Sequence, residues 1–418
     1  MEDTFEIFMV ATPGFEDALF SEALANGFVD AARTQGGVTT TGNWEDVWRA
    51  NLVMRGASRI LARVGSFMAF HLAQLDKRAR KFPWGDILRT DIPVRVEVTT
   101  SKKSKIYHAG AATQRIETAL KDSHGMTISA DAPLTVKVRI DDNRVTISID
   151  TSGESLHKRG HKEAVGKAPM RETLASLMLR ECGYDGAEPV LDPMCGSGTF
   201  LIEAAEMAAG LLPGRSRDFA FMQLANFDAG RWSILRKMGE DTKPVTQHFY
   251  GSDRDAGAVR MSRANAERAG VADHISFENL SASDVARPDG PTGLIICNPP
   301  YGGRIGNPKL LYGLYASLGE TLRERFGGWR VGIVTSETGL AKATGLPFKP
   351  KGAAIPHGGI TPCGPGMRPI TRRASFRNGR SNGNAKPKPT TIWPFASGHI
   401  VVNSSRITFC AARPKALR

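Results

Sequence analysis

The 418-residue sequence predicts an α/β fold with a largely parallel sheet from about residue 188 onward, preceded by a smaller α+β region. Three observations predict it. First, Glu188-Pro189-Val190-Leu191 ends a buried strand and runs through the glycine-rich turn 192–198 into 199–210, where apolar residues recur at helical spacing. Second, strand and helix patterns then alternate: 247–253, 256–269, 275–279, 293–298, 309–326 and 330–336. Third, the rhythm before residue 152 differs. It ends in two period-2 strands, 134–140 and 144–150, joined by Asp141-Asp142-Asn143, a hairpin composition.

Taken in order, residues 5–12 form a strand. The turn at Pro13-Gly14 opens a helix with Leu19, Ala23 and Leu24 on one face, ended by Gly27. Gly36-Gly37-Val38-Thr39-Thr40 is a short strand. Asn43 caps a helix over 44–54 whose apolar face is Trp44, Val47, Trp48 and Leu52. Residues 59–64 are a strand, 69–81 a helix with Phe70, Leu72 and Leu75, 93–98 a strand, and 110–121 a helix. Residues 153–168, with three glycines and Lys158, Arg159, His161 and Lys162, read as a linker. Pro169 then opens a helix over 169–181. Residues 211–246 are a partly helical insertion.

Composition excludes some classes. No apolar run approaches the roughly 20 residues a bilayer span requires. Residues 1–4 lack the layout of a signal peptide. Cys182, Cys195, Cys297, Cys363 and Cys410 are odd in number and scattered, which argues against a disulfide framework or a cysteine zinc site and suits a reducing cytosol. No metal is expected. The net charge of +13 is uneven: the 81 residues after Glu337 hold 14 Lys and Arg and no acid, so residues 1–337 hold 41 basic against 42 acidic residues. Basicity alone is therefore a weak argument for a nucleic-acid partner.

The chemistry lies in four places. The turn Asp192-Pro193-Met194-Cys195-Gly196-Ser197-Gly198 leads into Thr199, where free N–H groups and the helix dipole favour an anionic or strongly polar ligand group. Asp253, at the end of the second strand, is placed to accept ribose hydroxyls; alternatively Asp253 or Asp255 caps the next helix. Asp284 suits the exocyclic amine of adenine, or is a solvated turn residue. The fourth strand runs into Asn298-Pro299-Pro300-Tyr301. The Asn298 side-chain oxygen and the Pro299 carbonyl can grip one planar NH₂ group and turn its delocalised lone pair toward an electrophile. Tyr301 offers a face for a base to stack on. The plain alternative is an Asn-Pro turn closing a strand. Cys195 and Cys297 read as small packing residues.

This ordered set resembles the class I S-adenosylmethionine-dependent amino-methyltransferases. Leu156-His157-Lys158-Arg159-Gly160 with Ala168-Pro169-Met170-Arg171-Glu172-Thr173-Leu174 resembles the segment joining a THUMP domain to the catalytic domain of that group. Gln35-Gly36-Gly37-Val38 and Ala57-Ser58-Arg59-Ile60 resemble its amino-terminal half. The bacterial enzymes that methylate guanine N2 in large-subunit ribosomal RNA are most similar, over about 5–360. The resemblance implies a Rossmann-like methyltransferase domain (169–360) behind a ferredoxin-like part (1–55), a THUMP RNA-binding domain (56–152) and a linker (153–168). It implies S-adenosylmethionine held by Thr173, Asp192, Pro193, Cys195, Gly196, Gly198, Thr199, Asp253 and Asp284, and catalysis by Asn298, Pro299, Pro300 and Tyr301. It also implies an RNA partner, ribosomal before transfer RNA. Adenine N6 methylation and a non-catalytic RNA-binding assembly factor stay as alternatives. The oligomeric state is not legible.

Lys102, Lys103 and Lys105, beside Tyr107 and His108, and the group Lys158, Arg159, His161 and Lys162 are candidate phosphate contacts; a solvated surface is the alternative for each. The family frame should end in an antiparallel strand pair, of which 349–360 looks like the first member. Residues 361–418 are instead basic and rich in Arg, Ser, Asn, Gly and Pro, a composition that favours disorder. A frameshift or alternative terminus near Ile360 is expected, with a basic RNA-binding arm as the rival. Ile400-Val401-Val402 and Ile407-Thr408-Phe409 can still supply one makeshift strand.

Overall fold

A computed structural model describes residues 4–163, 170–237, 239, 242–301, 308–335, 337–348, 355–356 and 406–412. The first region comprises β1 (Phe5–Val10), α1 (Glu16–Ala25), β2 (Ala32–Thr34), β3 (Gly37–Gly42), α2 (Trp44–Val53), β4 (Arg59–Met68), α3 (Leu72–Arg80), β5 (Val94–Thr100), α4 (Ala109–His124), β6 (Leu134–Asp141) and β7 (Arg144–Asp150). These strands form one seven-stranded sheet in the order β2-β3-β1-β4-β7-β6-β5, in which only the β5–β6 pairing is parallel. β4 pairs with β1 on one side and β7 on the other, so the two small units share a continuous sheet. Alternation sets the core: Ile7, Met9, Ile60, Ala62, Val136, Ile147 and Ile149 are buried. Asn43 and Asp46 form a reciprocal capping box on α2. Asp142 and Asn143 adopt positive φ of 49° and 61°, which makes the tight β6–β7 turn. Leu24, expected on the buried face of α1, is instead 42% exposed, and Phe70 lies before α3 rather than in it.

The second region comprises α5 (Glu172–Glu181), β8 (Val190–Asp192), α6 (Thr199–Ala208), α7 (Ala229–Lys237), β9 (Phe249–Ser252), α8 (Ala256–Ala269), β10 (Ile275–Glu278), β11 (Leu294–Cys297), α9 (Pro308–Arg325), β12 (Arg330–Thr335), α10 (Thr338–Ala343), β13 (Ile355–Pro356) and β14 (Arg406–Ala412). Its sheet runs β10-β9-β8-β11-β12-β14-β13, with the first five strands parallel. Strand order reverses between β8 and β11. In open parallel sheets that switch point leaves a crevice at the strands' carboxyl ends, where ligands bind. The last strand comes from the tail, at the Ile407-Thr408-Phe409 segment read above for its strand character. Arg406–Ala412 pairs antiparallel with β12 and with β13, so the segment around Ile407 completes an edge that composition would leave open. The remaining residues of 361–418, including 400–402, lie outside the described residues.

Within the segment read as a linker, residues 153–163 are tied into the protein by buried charges. Arg159 is 2% exposed; its guanidinium donates to Glu203, Leu156 O and Arg55 O at 3.2, 2.7 and 2.6 Å. Arg55, between α2 and β4, reaches Glu203 and Glu206 on α6 at 2.9 and 2.7 Å, and Arg215 also pairs with Glu206. His161 is buried against Glu206. Buried charges need such partners. Their effect here is to tie the first region to the helix that begins at the glycine-rich turn. Trp48, Phe219, Phe221, Phe227 and Trp232 add an aromatic cluster between α2 and the insertion.

Candidate active site

A cavity of about 360 Å³, within the range of small-ligand sites, opens at the switch point. One wall is the β8–α6 turn: Asp192, Pro193, Met194, Cys195, Gly196, Ser197, Thr199 and Phe200. The rest comprises Asp253, Arg254, Ser281, Ala282, Asn298, Pro300, Met170 and Leu314. The turn is built by two glycines in left-handed conformation, Gly196 at φ 56° and Gly198 at φ 78°. A Cβ on Gly198 would press on Ser262 and Phe277, whereas one on Gly196 would meet no atom within 4 Å, because it faces open space. Gly198 caps α6 without a side chain, so no capping side chain takes the helix's first N–H groups, and Thr199 and Phe200 of that first turn line the cavity.

Asp253 stands across the turn. Its Oδ2 accepts from Gly196 N at 3.0 Å and its Oδ1 from Asp255 N at 3.0 Å. The capping alternative falls to Asp255 alone, whose carboxylate accepts from Gly257 N at 2.7 Å at the start of α8. Asp253 thus braces the turn and keeps acceptor capacity toward the cavity. The turn is further fixed by Cys195 N to Ser252 O (2.9 Å), Ser262 Oγ to Gly196 O (2.8 Å) and Asn265 Nδ2 to Ser197 O (3.1 Å). Asp192 is buried with its Oδ1 accepting from Met194 N at 3.0 Å. Burial pushes its carboxyl well above the usual range, and the charge of Asp253 adds to this.

At the opposite wall, β11 delivers Asn298 and Pro300 to the cavity. The Asn298 Oδ1 is buried and has no hydrogen-bond partner among the described residues. An orphaned buried acceptor costs about 1–3 kcal/mol. Its place in a cavity wall fits an absent donor such as an NH₂ group. Pro299 and Tyr301 are buried beside it. Burial pushes the Cys195 and Cys297 thiols up, so neither is a ready thiolate.

The sequence-derived residues are thus brought together unevenly. Asp192, Pro193, Cys195, Gly196, Thr199, Asp253, Asn298 and Pro300 line one cavity; Gly198, Pro299 and Tyr301 are next to these residues in the chain and are not among the lining residues. Asp284 is exposed and outside the wall, which Ser281 and Ala282 supply instead. Thr173 is buried in the first turn of α5, also outside the wall; nearby Met170 lines it. Arg159 is excluded as a phosphate contact, because its fork is consumed inside the protein. Lys162 is likewise turned inward. Lys102, Lys103 and Lys105 are exposed, beside Tyr107, which is 65% exposed with its ring tilted against that of His108. Lys158 is exposed and paired with Glu154. Sequence reasoning missed Arg254, Leu314 and Met170. Arg254 had a signal, adjacency to Asp253; the other two are apolar residues on elements that only the fold brings near. Among the described residues, no group of three or more His, Cys, Asp or Glu could hold a metal ion, and no helix is long and apolar enough to cross a membrane.

Residues 159–349 match the family described as RMKL-like, methyltransferase domain, and residues 6–61 match the RlmL ferredoxin-like domain. The chain is 34% identical over 345 residues to the ribosomal RNA large subunit methyltransferase K/L of Aliivibrio salmonicida, covering 79% of this chain and 49% of that one. A Synechocystis protein named "Putative RNA methyltransferase slr0064" is 31% identical over 322 residues, covering 74% of this chain and 83% of that one. A crystal structure from Listeria monocytogenes, named as a predicted N6-adenine-specific DNA methylase, is similar with a TM-score of 0.74 at 28% identity, covering 84% of this chain and 93% of that one. The chain spans about half the length of the K/L relatives it matches.

Proposed function

The chain belongs to the RMKL-like methyltransferase family, and we propose that it moves the methyl group of S-adenosylmethionine to the exocyclic N2 amine of a guanine in RNA, large-subunit ribosomal RNA above all, in the cytoplasm. The observation that carries this reading is the buried, unpartnered Asn298 Oδ1 in a cavity whose far wall is a glycine turn at a helix N-terminus.

The residues fit the donor by type. The free N–H groups at the start of α6, with Thr199, suit the methionine carboxylate. Asp253 has acceptor sites left for the ribose hydroxyls. Gly196 leaves room where a side chain would intrude. Asp192, Pro193, Cys195 and Gly198 shape the turn, and we retain Thr173 and Asp284 as donor contacts to be tested. When bound, the donor supplies a methyl group on a sulfonium with a neutral thioether as leaving group. The chain's own work is then positional. Asn298 Oδ1 and the Pro299 carbonyl accept the two amine hydrogens, and Pro300 stiffens that grip. Tyr301 supplies an aromatic face for the base. As the nitrogen gains positive charge, these acceptors bind it more strongly than in the ground state, and differential binding of that kind speeds transfer.

We assign RNA capture to the first region, a ferredoxin-like part followed by a THUMP domain. The exposed group Lys102, Lys103, Lys105 and Tyr107 is its phosphate and base contact, with Lys158 as a further one. The test is to incubate the purified chain with methyl-labelled donor and, separately, bulk ribosomal RNA, transfer RNA and DNA. Label in ribosomal RNA is expected. Label confined to transfer RNA or DNA would overturn the substrate assignment. No label anywhere, with donor binding intact, would leave a non-catalytic RNA-binding factor.

A further inference from the structure

We infer that Lys162 is a positioning residue for the donor's carboxylate, acting through the hydroxyls of Thr199 and Ser197; this rests on reading the cavity as an S-adenosylmethionine site. Lys162 is a base that composition would place on the surface, yet its side chain is nearly buried. Its Nζ lies 2.7 Å from Met170 O, 2.9 Å from Thr199 Oγ1 and 3.0 Å from Glu172 Oε1. An ammonium has three N–H donors and no acceptor, so these three partners consume it.

The consequence falls on Thr199. Its Oγ1 must accept from Lys162, which leaves its own O–H to be given away. Ser197 Oγ lies 3.3 Å away, and both residues line the cavity. Lys162 therefore sets the direction of a short chain of hydroxyls. Thr199 donates to Ser197 or into the cavity, and Ser197, when it accepts, donates onward. Such chains polarise one another in a low-dielectric site. Ser197, Thr199 and Phe200 at the start of α6 share the cavity wall, so this chain lies beside the helix N-terminus that favours an anionic group. Met170 belongs to the same wall, so Lys162 also ties the segment before α5 to the turn. Glu172 is the counter-charge: buried, with its carboxyl pushed up by that burial and held down in part by Lys162.

Two ligands separate positioning from mere structure. S-Adenosylhomocysteine carries the aminocarboxylate; 5′-methylthioadenosine has the same nucleoside and sulfur without it. Calorimetric Kd values for both are measured on the wild type, Lys162→Met, Lys162→Arg, the double variant Lys162→Met with Glu172→Gln, and Thr199→Val. Lys162→Met is expected to weaken S-adenosylhomocysteine about tenfold and to leave 5′-methylthioadenosine within about twofold, with Lys162→Arg recovering part of the loss. The double variant removes the orphaned carboxylate and should keep the same split. Thr199→Val removes both the hydroxyl that Lys162 reaches and the first link of the chain and should reproduce the split; if Lys162→Met fails to fold, Lys162→Arg and the double variant carry the test. Equal losses for both ligands, or no loss for either, would overturn the proposal. A wild type that binds neither ligand would instead overturn the donor reading beneath it.

Discussion

Asn298→Ala is the perturbation on which the chemistry turns most sharply. In the free protein the Asn298 Oδ1 is buried without a partner, so truncation removes an unsatisfied acceptor rather than a hydrogen bond. Folding stability should therefore stay within about 1 kcal/mol of wild type, or rise. The rate should not stay. The lost interaction is a hydrogen bond to an amine that becomes positively charged as it attacks, about 1.5–3 kcal/mol for a charged partner. At 1.36 kcal/mol per decade that is roughly 10- to 150-fold in kcat. Losing the grip that orients the lone pair adds up to about 10²-fold more. The assay is single-turnover methyl transfer at saturating donor, with donor Kd by calorimetry and a thermal melt on the same preparation. The expected pattern is kcat down at least 10²-fold, donor Kd within about threefold, and no drop in Tm. A kcat within threefold of wild type would remove Asn298 from the mechanism. A parallel loss of donor affinity would make it part of the donor pocket instead.

Other outcomes follow from the same structure. Arg55→Met strips Glu203 and Glu206 of a buried partner, leaving them to Arg159 and Arg215. The cost should approach the roughly 3–5 kcal/mol of a broken buried pair, read as a lower urea midpoint; a loss under about 1 kcal/mol would mean the network holds without it. Burial pushes His161 below its ordinary range against the pull of Glu206, so the folded chain refuses a proton that the unfolded chain takes up near pH 6.5. As pH falls through 6.5, wild type should lose stability relative to His161→Gln, by up to about 1.4 kcal/mol per pH unit. Parallel stability curves for the two proteins would show that the ring titrates normally. Replacing Lys102, Lys103 and Lys105 together by Ala should weaken RNA binding and flatten its salt dependence by about two to three units of slope, with donor Kd unchanged. An unaltered slope would locate the RNA contact elsewhere.

The parallel sheet was legible because a strand buried on both faces reads as a short apolar run, and the helices between carry a 3.6-residue stripe. The cavity's two ends were legible because each needs an unusual local sequence: two left-handed glycines at Gly196 and Gly198, and two prolines after Asn298. What sequence misassigned was charge. Arg159 and Lys162 have the composition of a solvated linker, and nothing local reveals that Glu203, Glu206 and Glu172 will lie across from them. The available sign was indirect: Glu203 and Glu206 lie three apart on a helix otherwise apolar all round, where an acid must find a buried base. Asp284 follows β10 as Asp253 follows β9, but only Asp253 lies in the cavity wall, a difference that local sequence does not show. The last strand was obscured because pairing with β12 asks only for a short extended segment, and 406–412 is far away in sequence behind a polar stretch.

The most direct test is the chemical identity of the product. Labelled ribosomal RNA is digested to nucleosides and the labelled species identified by chromatography and mass spectrometry. N2-methylguanosine as the single labelled nucleoside, absent from a parallel reaction with Asn298→Ala, is the expected result. Label in N6-methyladenosine, or on a ring carbon or ribose oxygen, would contradict it.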